Sequence, residues 1–137
     1  MGALAYFDAS AIVKLLVEER ESLALVDYLE APRVAVTSAL SLTEVARCMQ
    51  RVDPSRDDLD TALAGFHLLV VDATVLSRAG RIAPPGVRAL DAIHLVSALS
   101  LADPDLEFVT YDQRLADAAR AHGLRVVQPG QRPARPR

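Results

Sequence analysis

LAYFDAS, residues 4–10, decides the fold. Its first four residues read as a short buried strand, and the strand stops on a carboxylate, Asp8, followed by small residues and a hydroxyl, Ser10. SAIVKLLVEE (10–19) then takes helical period, with Ile12, Leu15 and Leu16 on one face and Ser10 as its N-cap. A strand that feeds directly into a helix opens a βαβ unit. Gly or Asn would serve such a turn as well as Asp, so the acid asks for a further reason.

Working outward, ESLALVDYLEA continues in helical period to Pro32, and RVAVTS gives a second strand. SLTEVARCMQRV is a helix ended by Asp53-Pro54. SRDDLDTALAGF begins with a capping pattern, Ser55 followed three residues on by Asp58, and runs as a helix to a third strand, HLLVV. ATVLSRAGRI is a helix closed by Pro84-Pro85-Gly86, and VRALDAIHLVSALSLA is a longer, mostly apolar helix that must lie deep. LEFVTY is a fourth strand, DQRLADAARAHG a helix ending at Gly123, and LRVVQ a fifth strand. Strands alternating with helices, joined by short loops without hairpin signals, predict an α/β fold whose mainly parallel sheet is covered on both faces.

The 137 residues fit one domain, long enough to bury roughly two thirds of the surface the unfolded chain exposes. Hydrophobic residues make up 51% of the chain, a proportion that excludes a disordered chain. The domain is expected over 1–128, with a flexible Pro/Arg-rich tail over 129–137. Twelve basic residues precede Pro129 against all 18 acids, so the body carries a net charge of −6. An acidic body argues against broad electrostatic capture of nucleic acid but suits a site that gathers carboxylates around a metal. Cys48 is the only cysteine, which excludes an internal disulfide and fits a reduced, cytoplasmic setting. No apolar stretch reaches the roughly 18 residues of a membrane span, and no export signal or membrane anchor is expected.

Two strands end alike, the first on Asp8 and the fourth on Asp112. In an open parallel sheet the carboxyl ends share one edge, and ligands bind there at a switch in strand order. Asp8 and Asp112 are therefore expected as neighbours. Two further acids stand in apolar helices: Glu44 between Leu42 and Val45, and Asp91 beside Leu90, Ala92 and Ile93. Taken singly, Asp8 and Asp112 also read as helix N-caps, Glu44 as a partner for Arg47 or Arg51, and Asp91 as a partner for Arg88. That all four need separate explanations favours a common one, because an unpaired buried carboxylate is costly and a hard divalent cation would match four at once. Oxygen ligands suit Mg2+ or Mn2+, and the chain supplies no His/Cys cluster for zinc.

The stretches YFDASAIVKLL, SLTEVAR, ALDAIHLVSAL and FVTYDQRLADAARAHGLRVV resemble, in order and spacing, the motifs of the PIN-domain family, and within it the VapC-type toxin ribonucleases of type II toxin–antitoxin systems. The resemblance implies a three-layer α/β/α fold with a central, mainly parallel sheet of four to five strands. It places the catalytic, metal-binding acid cluster on Asp8, Glu44, Asp91 and Asp112, with Ser10 matching the hydroxyl of the D-x-S pattern and Thr110 that of T-x-D. Asp8, Asp91 and Asp112 would be the primary metal-site residues. Glu44 would be a further ligand, an outer partner or a water-orienting base, and Ser10 and Thr110 would orient a carboxylate or a water. The activity implied is an Mg2+-dependent endoribonuclease, with Mn2+ able to substitute, in which water attacks an RNA phosphodiester in line and leaves 5′-phosphate and 3′-hydroxyl ends. The partners implied are an RNA substrate (tRNA, rRNA or mRNA), a second copy of the chain in a homodimer, and a VapB-type antitoxin that wraps the toxin.

Several residues stay outside that cluster. His94, one turn after Asp91, reads as a packed, hydrogen-bonded histidine and Cys48 as a small buried apolar group. Lys14, Arg114 and Arg120 read as phosphate contacts, antitoxin contacts or plain surface, and Asp117 lies round the helix from Asp112. A haloacid-dehalogenase-like phosphatase would need an acid at position 10, and a receiver domain a lysine after a late strand; the chain has Ser10, and its only lysine is Lys14. A non-toxin PIN nuclease of RNA processing and a catalytically silent PIN-fold binding module are the remaining alternatives, the second disfavoured by the intact set of four acids.

Overall fold

The computed structural model describes residues 3–132. Five strands form one all-parallel sheet in the order β3-β2-β1-β4-β5: β1 (Ala3–Phe7), β2 (Arg33–Ser38), β3 (His67–Leu69), β4 (Glu107–Val109) and β5 (Arg125–Val127). The chain starts at the centre, builds outward to β3, then returns to the other side of β1. The switch in strand order therefore falls between β1 and β4, the two strands that end at Asp8 and just before Asp112.

Side-chain alternation along β1 makes the two cores. Tyr6 packs with Val36, Leu95, Leu106, Phe108 and Leu115 on one face, whereas Phe7 packs with Ile12, Leu25, Val45, Met49 and Val109 on the other. The first face is covered by α6 (Ala89–Leu99) and α7 (Gln113–Ala121), the second by α1 (Ala9–Leu16), α2 (Ser22–Glu30), α3 (Leu40–Val52) and α4 (Leu59–Leu63). A further helix, α5 (Ala73–Ala79), packs on α6. Residues Ala92 to Ala98 of α6 are all buried, which is the deep position its apolar sequence predicts. No helix of the described residues is long and apolar enough to cross a membrane.

The differences from sequence expectation are local. The first helix stops at Leu16 instead of running on to Glu19, because the Ser22 hydroxyl donates to the carbonyls of Lys14 (2.7 Å) and Val17 (3.2 Å) and starts a separate α2. Asp8, not Ser10, caps α1. The capping pattern at Ser55 is not formed: Ser55 donates to Asp53 at 2.7 Å, Arg56 holds the Asp58 carboxylate at 2.5 Å, and α4 begins only at Leu59. Of the expected tail, residues 133–137 lie outside the described residues. Pro129 is held by the Tyr111 hydroxyl at 2.8 Å, and Gly130, with φ +86°, sits so close to α2 that a Cβ would meet Ala24 and Glu21 at 3.1–3.2 Å.

At the amino edge of the sheet, Arg33 lies over the Tyr28 ring at 3.8 Å, and both reach Glu107, at 2.5 and 2.6 Å. This staple ties α2 to β2 and β4. At the carboxyl edge the Thr37 hydroxyl, itself 2.7 Å from Ser41, donates to the Phe7 carbonyl at 2.6 Å, which fixes the backbone just before Asp8.

Candidate active site

Asp8 is 4% exposed, and among the described residues no ion pair reaches it; hydroxyls and a backbone amide satisfy it instead. Ser10 Oγ donates to Oδ1 at 2.7 Å and Ala11 N–H donates to the same oxygen at 3.0 Å, while Thr110 Oγ1 donates to Oδ2 at 2.6 Å. Burial pushes the Asp8 pKa up from its ordinary value, against the opposing pull of the Thr110 and Ser10 hydrogen bonds. The Ser10 oxygen also accepts from the Tyr111 N–H at 3.0 Å, and Thr110 Oγ1 accepts from the Asp112 N–H at 3.1 Å. Ser10 and Thr110 thus stitch the turn after β1 to the turn after β4. Replacing Thr110 by Val keeps the shape and removes the donor to a buried carboxylate. The variant is expected to lose about 2 kcal/mol of stability in urea unfolding at neutral pH.

Asp112 caps α7, with Oδ1 accepting from Arg114 N–H (2.9 Å) and Leu115 N–H (3.2 Å). Asp91, on the first turn of α6, is half-buried, and its pKa is raised by burial first, then by the negative charges of Asp112 and Asp8, with a smaller push from Glu44. The charges of Asp112, Asp8 and Glu44, from three other segments, therefore all bear on Asp91. The capping roles are real too: the bonds that make Asp8 and Asp112 N-caps are the ones that hold them at the sheet edge.

Glu44, on α3, accepts a hydrogen bond from His94 Nε2 at 2.5 Å. Among the described residues it pairs with neither Arg47 nor Arg51, and Asp91 does not pair with Arg88. Glu44 and Asp112 line a groove of about 470 Å³ together with Ser10, Lys14, Tyr111 and Cys48. Cys48 is half-buried at this groove, not a core residue. Lys14 is bridged by Glu21 at 2.7 Å and Glu19 at 2.9 Å and stands 4.9 Å over the Tyr111 ring. Burial, with a smaller contribution from the Glu21 charge, holds the Tyr111 phenol at about 12. This Lys14–Tyr111 corner gives no local signal in the sequence, because its parts come from α1, the loop after it and the turn after β4. Asp91 lines a second groove of about 350 Å³ with Arg88, Arg114 and Asp117.

Among the described residues no three His, Cys, Asp or Glu side chains stand close enough together to hold an ion between them. The donor chemistry nevertheless fits a hard cation. Every candidate donor is an oxygen, and the one nearby imidazole, His94, has both nitrogens engaged. A cation that keeps its waters and takes one or two carboxylates plus substrate phosphates does not require a three-ligand protein cage.

Comparison with known proteins identifies the family. The family model described as PIN domain matches residues 5–121. The chain is 44% identical over 128 residues to Ribonuclease VapC46 of Mycobacterium tuberculosis, covering 93% of this chain and 98% of the relative. It is 40% identical over 131 residues to Ribonuclease VapC35 of the same species, covering 92% and 97%. Among solved structures, the fold is shared with a toxin–antitoxin complex from Klebsiella pneumoniae (TM-score 0.70, 22% identity, 91% of this chain and 97% of that one). It is shared as well with VapC20 of M. tuberculosis, described as a sarcin–ricin loop cleaving toxin (TM-score 0.69, 17% identity, 91% and 99%). The chain belongs to the PIN-domain family, and within it to the VapC-type ribonucleases.

Proposed function

We propose that this ribonuclease, the toxin of a toxin–antitoxin pair, uses Mg2+, with Mn2+ as a substitute, and that Asp8, Asp91, Asp112 and Glu44 are its catalytic carboxylates. One arrangement carries the reading: Thr110 Oγ1, donating to Asp8 and accepting from the Asp112 N–H, joins these two acids at the switch point of the sheet, and their charges with that of Glu44 bear on Asp91. Such mutual repulsion costs stability unless a cation offsets it. A divalent cation supplies Lewis-acid polarisation of a phosphodiester and acidifies water for in-line attack. Asp8, Asp91 and Asp112 would hold it, one or two of them directly and the rest through its waters. Ser10 and Thr110 keep the Asp8 carboxylate in one orientation. Glu44, at the groove wall, would take the proton from the attacking water or complete the ligand set.

The substrate is RNA, which meets an acidic body, so its phosphates approach through the few cations at the grooves: Lys14 on one side, Arg88 and Arg114 on the other. An antitoxin partner follows from the toxin–antitoxin complexes that share this fold. Homodimerisation is supported by exposed apolar side chains on α3, β3, α5 and α6, among them Leu42, Leu68, Leu76 and Leu90, with Val70 after β3 exposed by 74%. A cytoplasmic site of action follows from an RNA target.

Purified protein should cut RNA in Mg2+ or Mn2+, stop in EDTA and leave 5′-phosphate ends that a 5′-phosphate-dependent exonuclease can enter. Expressed alone it should arrest growth, and the antitoxin should relieve the arrest. Absence of cleavage across total tRNA, rRNA and mRNA, together with no metal binding by calorimetry, would overturn the proposal.

A further inference from the structure

His94 is 1% exposed, yet it is more than a packed residue, because each ring nitrogen has a defined partner. Nδ1 stands 2.7 Å from the Tyr6 hydroxyl and Nε2 stands 2.5 Å from Glu44 Oε1. A carboxylate has no hydrogen to give, so Nε2 carries the hydrogen and donates it to Glu44. The Tyr6 phenol is held in its protonated form by burial, and it donates to Nδ1. The ring is fixed in orientation as well: it meets Tyr6 edge-on at 5.9 Å and 75°, and Tyr6 is stacked on Phe108 at 5.3 Å and 6°. Tyr6 and Phe108 are paired residues of β1 and β4, the two strands that lead to Asp8 and to Thr110 and Asp112.

We infer that His94 is a positioning residue for Glu44: Tyr6 sets the imidazole tautomer, and the resulting Nε2–H holds one oxygen of Glu44 so that α3 presents its acid in register with Asp91, one turn before His94 on α6. The inference rests on reading Glu44 as part of the catalytic cluster. It explains why an acid on a half-exposed helix face turns to a buried histidine fifty residues away when Arg47 and Arg51 lie on its own helix. It also joins the three acids of β1, β4 and α6 to the fourth through the sheet itself, so that Glu44 does not depend on the stiffness of α3 alone. A positioning partner of this kind, when removed, typically weakens metal affinity 10- to 100-fold without abolishing the site.

Two substitutions separate the two ring nitrogens. The amide nitrogen of Gln sits where Nε2 does, whereas that of Asn sits where Nδ1 does. In the purified full chain, with free Mn2+ read by electron paramagnetic resonance, His94→Asn should bind Mn2+ about tenfold more weakly, and His94→Gln should keep the wild-type affinity. Equal losses in both variants would reduce His94 to a packing residue and overturn the inference. The second readout needs neither metal nor activity. Long-range proton–nitrogen NMR of the metal-free wild type should show a pyrrole-like Nε2 and a pyridine-like Nδ1 for His94, and Tyr6→Phe should move both shifts toward their average. Should the His94 variants fail to fold, Glu44→Ala, a change on a half-exposed helix face, should still shift the Nε2 proton and speed its exchange. A hydrogen on Nδ1 in the wild type, or a Nε2 proton that Glu44→Ala leaves unchanged, overturns the inference. Wild-type protein that shows the expected tautomer but binds no Mn2+ would instead sink the nuclease reading of the cluster, and with it the use of Glu44.

Discussion

Asp8→Asn is expected to lower RNA cleavage about a thousandfold and, in metal-free buffer at neutral pH, to raise the melting temperature. The first effect follows from charge. A divalent cation contributes several kcal/mol of transition-state stabilisation; at 1.36 kcal/mol per tenfold, forfeiting about 4 kcal/mol of it costs about 10³ in rate. The second effect follows from burial, which raises the Asp8 pKa in the fold above its unfolded value. A carboxylate shifted upward contributes stability that is full below its unfolded pKa and is lost as pH rises through the folded pKa. At any pH above the unfolded pKa some of that contribution is lost, so burying Asp8 carries a net cost at neutral pH. Asn has no charge to bury, its oxygen still accepts from Ser10 Oγ and Ala11 N–H, and the Thr110 hydroxyl can turn to accept from its amide. A gain of about 1 kcal/mol would appear as roughly 3 °C. Melting curves in EDTA and cleavage rates in Mg2+, on the same preparation, check both halves. A variant that melts lower and still cuts RNA at the wild-type rate would remove Asp8 from the site.

The pairing of those effects explains which parts of the molecule were legible in sequence. LAYF and LEFVTY read as strands because each is a short, largely apolar run followed by an acid, and the alternation that sends Tyr6 and Phe7 to opposite cores is local. The placement of Asp8 beside the turn that carries Asp112 followed from the rule for parallel sheet edges. What stayed hidden was carried by bonds of long sequence separation. In DAS, both Asp8 and Ser10 are good caps; Asp8 takes the role because the Ser10 hydroxyl is claimed by Asp8 and by the Tyr111 N–H, a hundred residues away. Local pattern places a hydrogen-bonded His94 in the core, but its bond to Glu44 spans fifty residues, and Glu44 takes it in place of the arginines on its own helix. The α4 capping pattern fails for a local reason of a different kind: Arg56 takes the Asp58 carboxylate, and Ser55 donates to Asp53.

Ser10 and Thr110 show how the fold and the chemistry compete for the same atoms. Both hydroxyls donate to Asp8 and accept a backbone N–H from the turn after β4, so loss of either one loosens the junction of two strands as well as one carboxylate. Their substitution should therefore lower stability and metal affinity together, whereas Asp8→Asn should separate the two, raising one and abolishing the other.

Addition of Mn2+ at a hundred times its dissociation constant is expected to stabilise the wild type by about 2.7 kcal/mol, roughly 8 °C in melting temperature, at neutral pH. The size is set by mass action; the informative part is how it disappears. Asp8 is raised chiefly by burial, and Asp91 by burial and then by the charges of Asp112 and Asp8. Both therefore take up protons above the pH at which a free aspartate would, near 3.9. Protons and metal compete for these oxygens, so the affinity should fall as pH drops through the folded pKa values, approaching a hundredfold per pH unit once both acids are protonating. Metal-free protein should move the opposite way, gaining stability over the same interval, because protonation relieves the buried charge on Asp8 and the repulsion around Asp91. The two melting curves, with and without Mn2+, should converge on acidification at a higher pH than unshifted aspartates would give. In Asp8→Asn the metal-dependent gain should be small at every pH. A gain that persists unchanged to about pH 4, or that is equal in Asp8→Asn, would place the metal elsewhere than on the acids that Asp8 and Asp91 bring to the switch point.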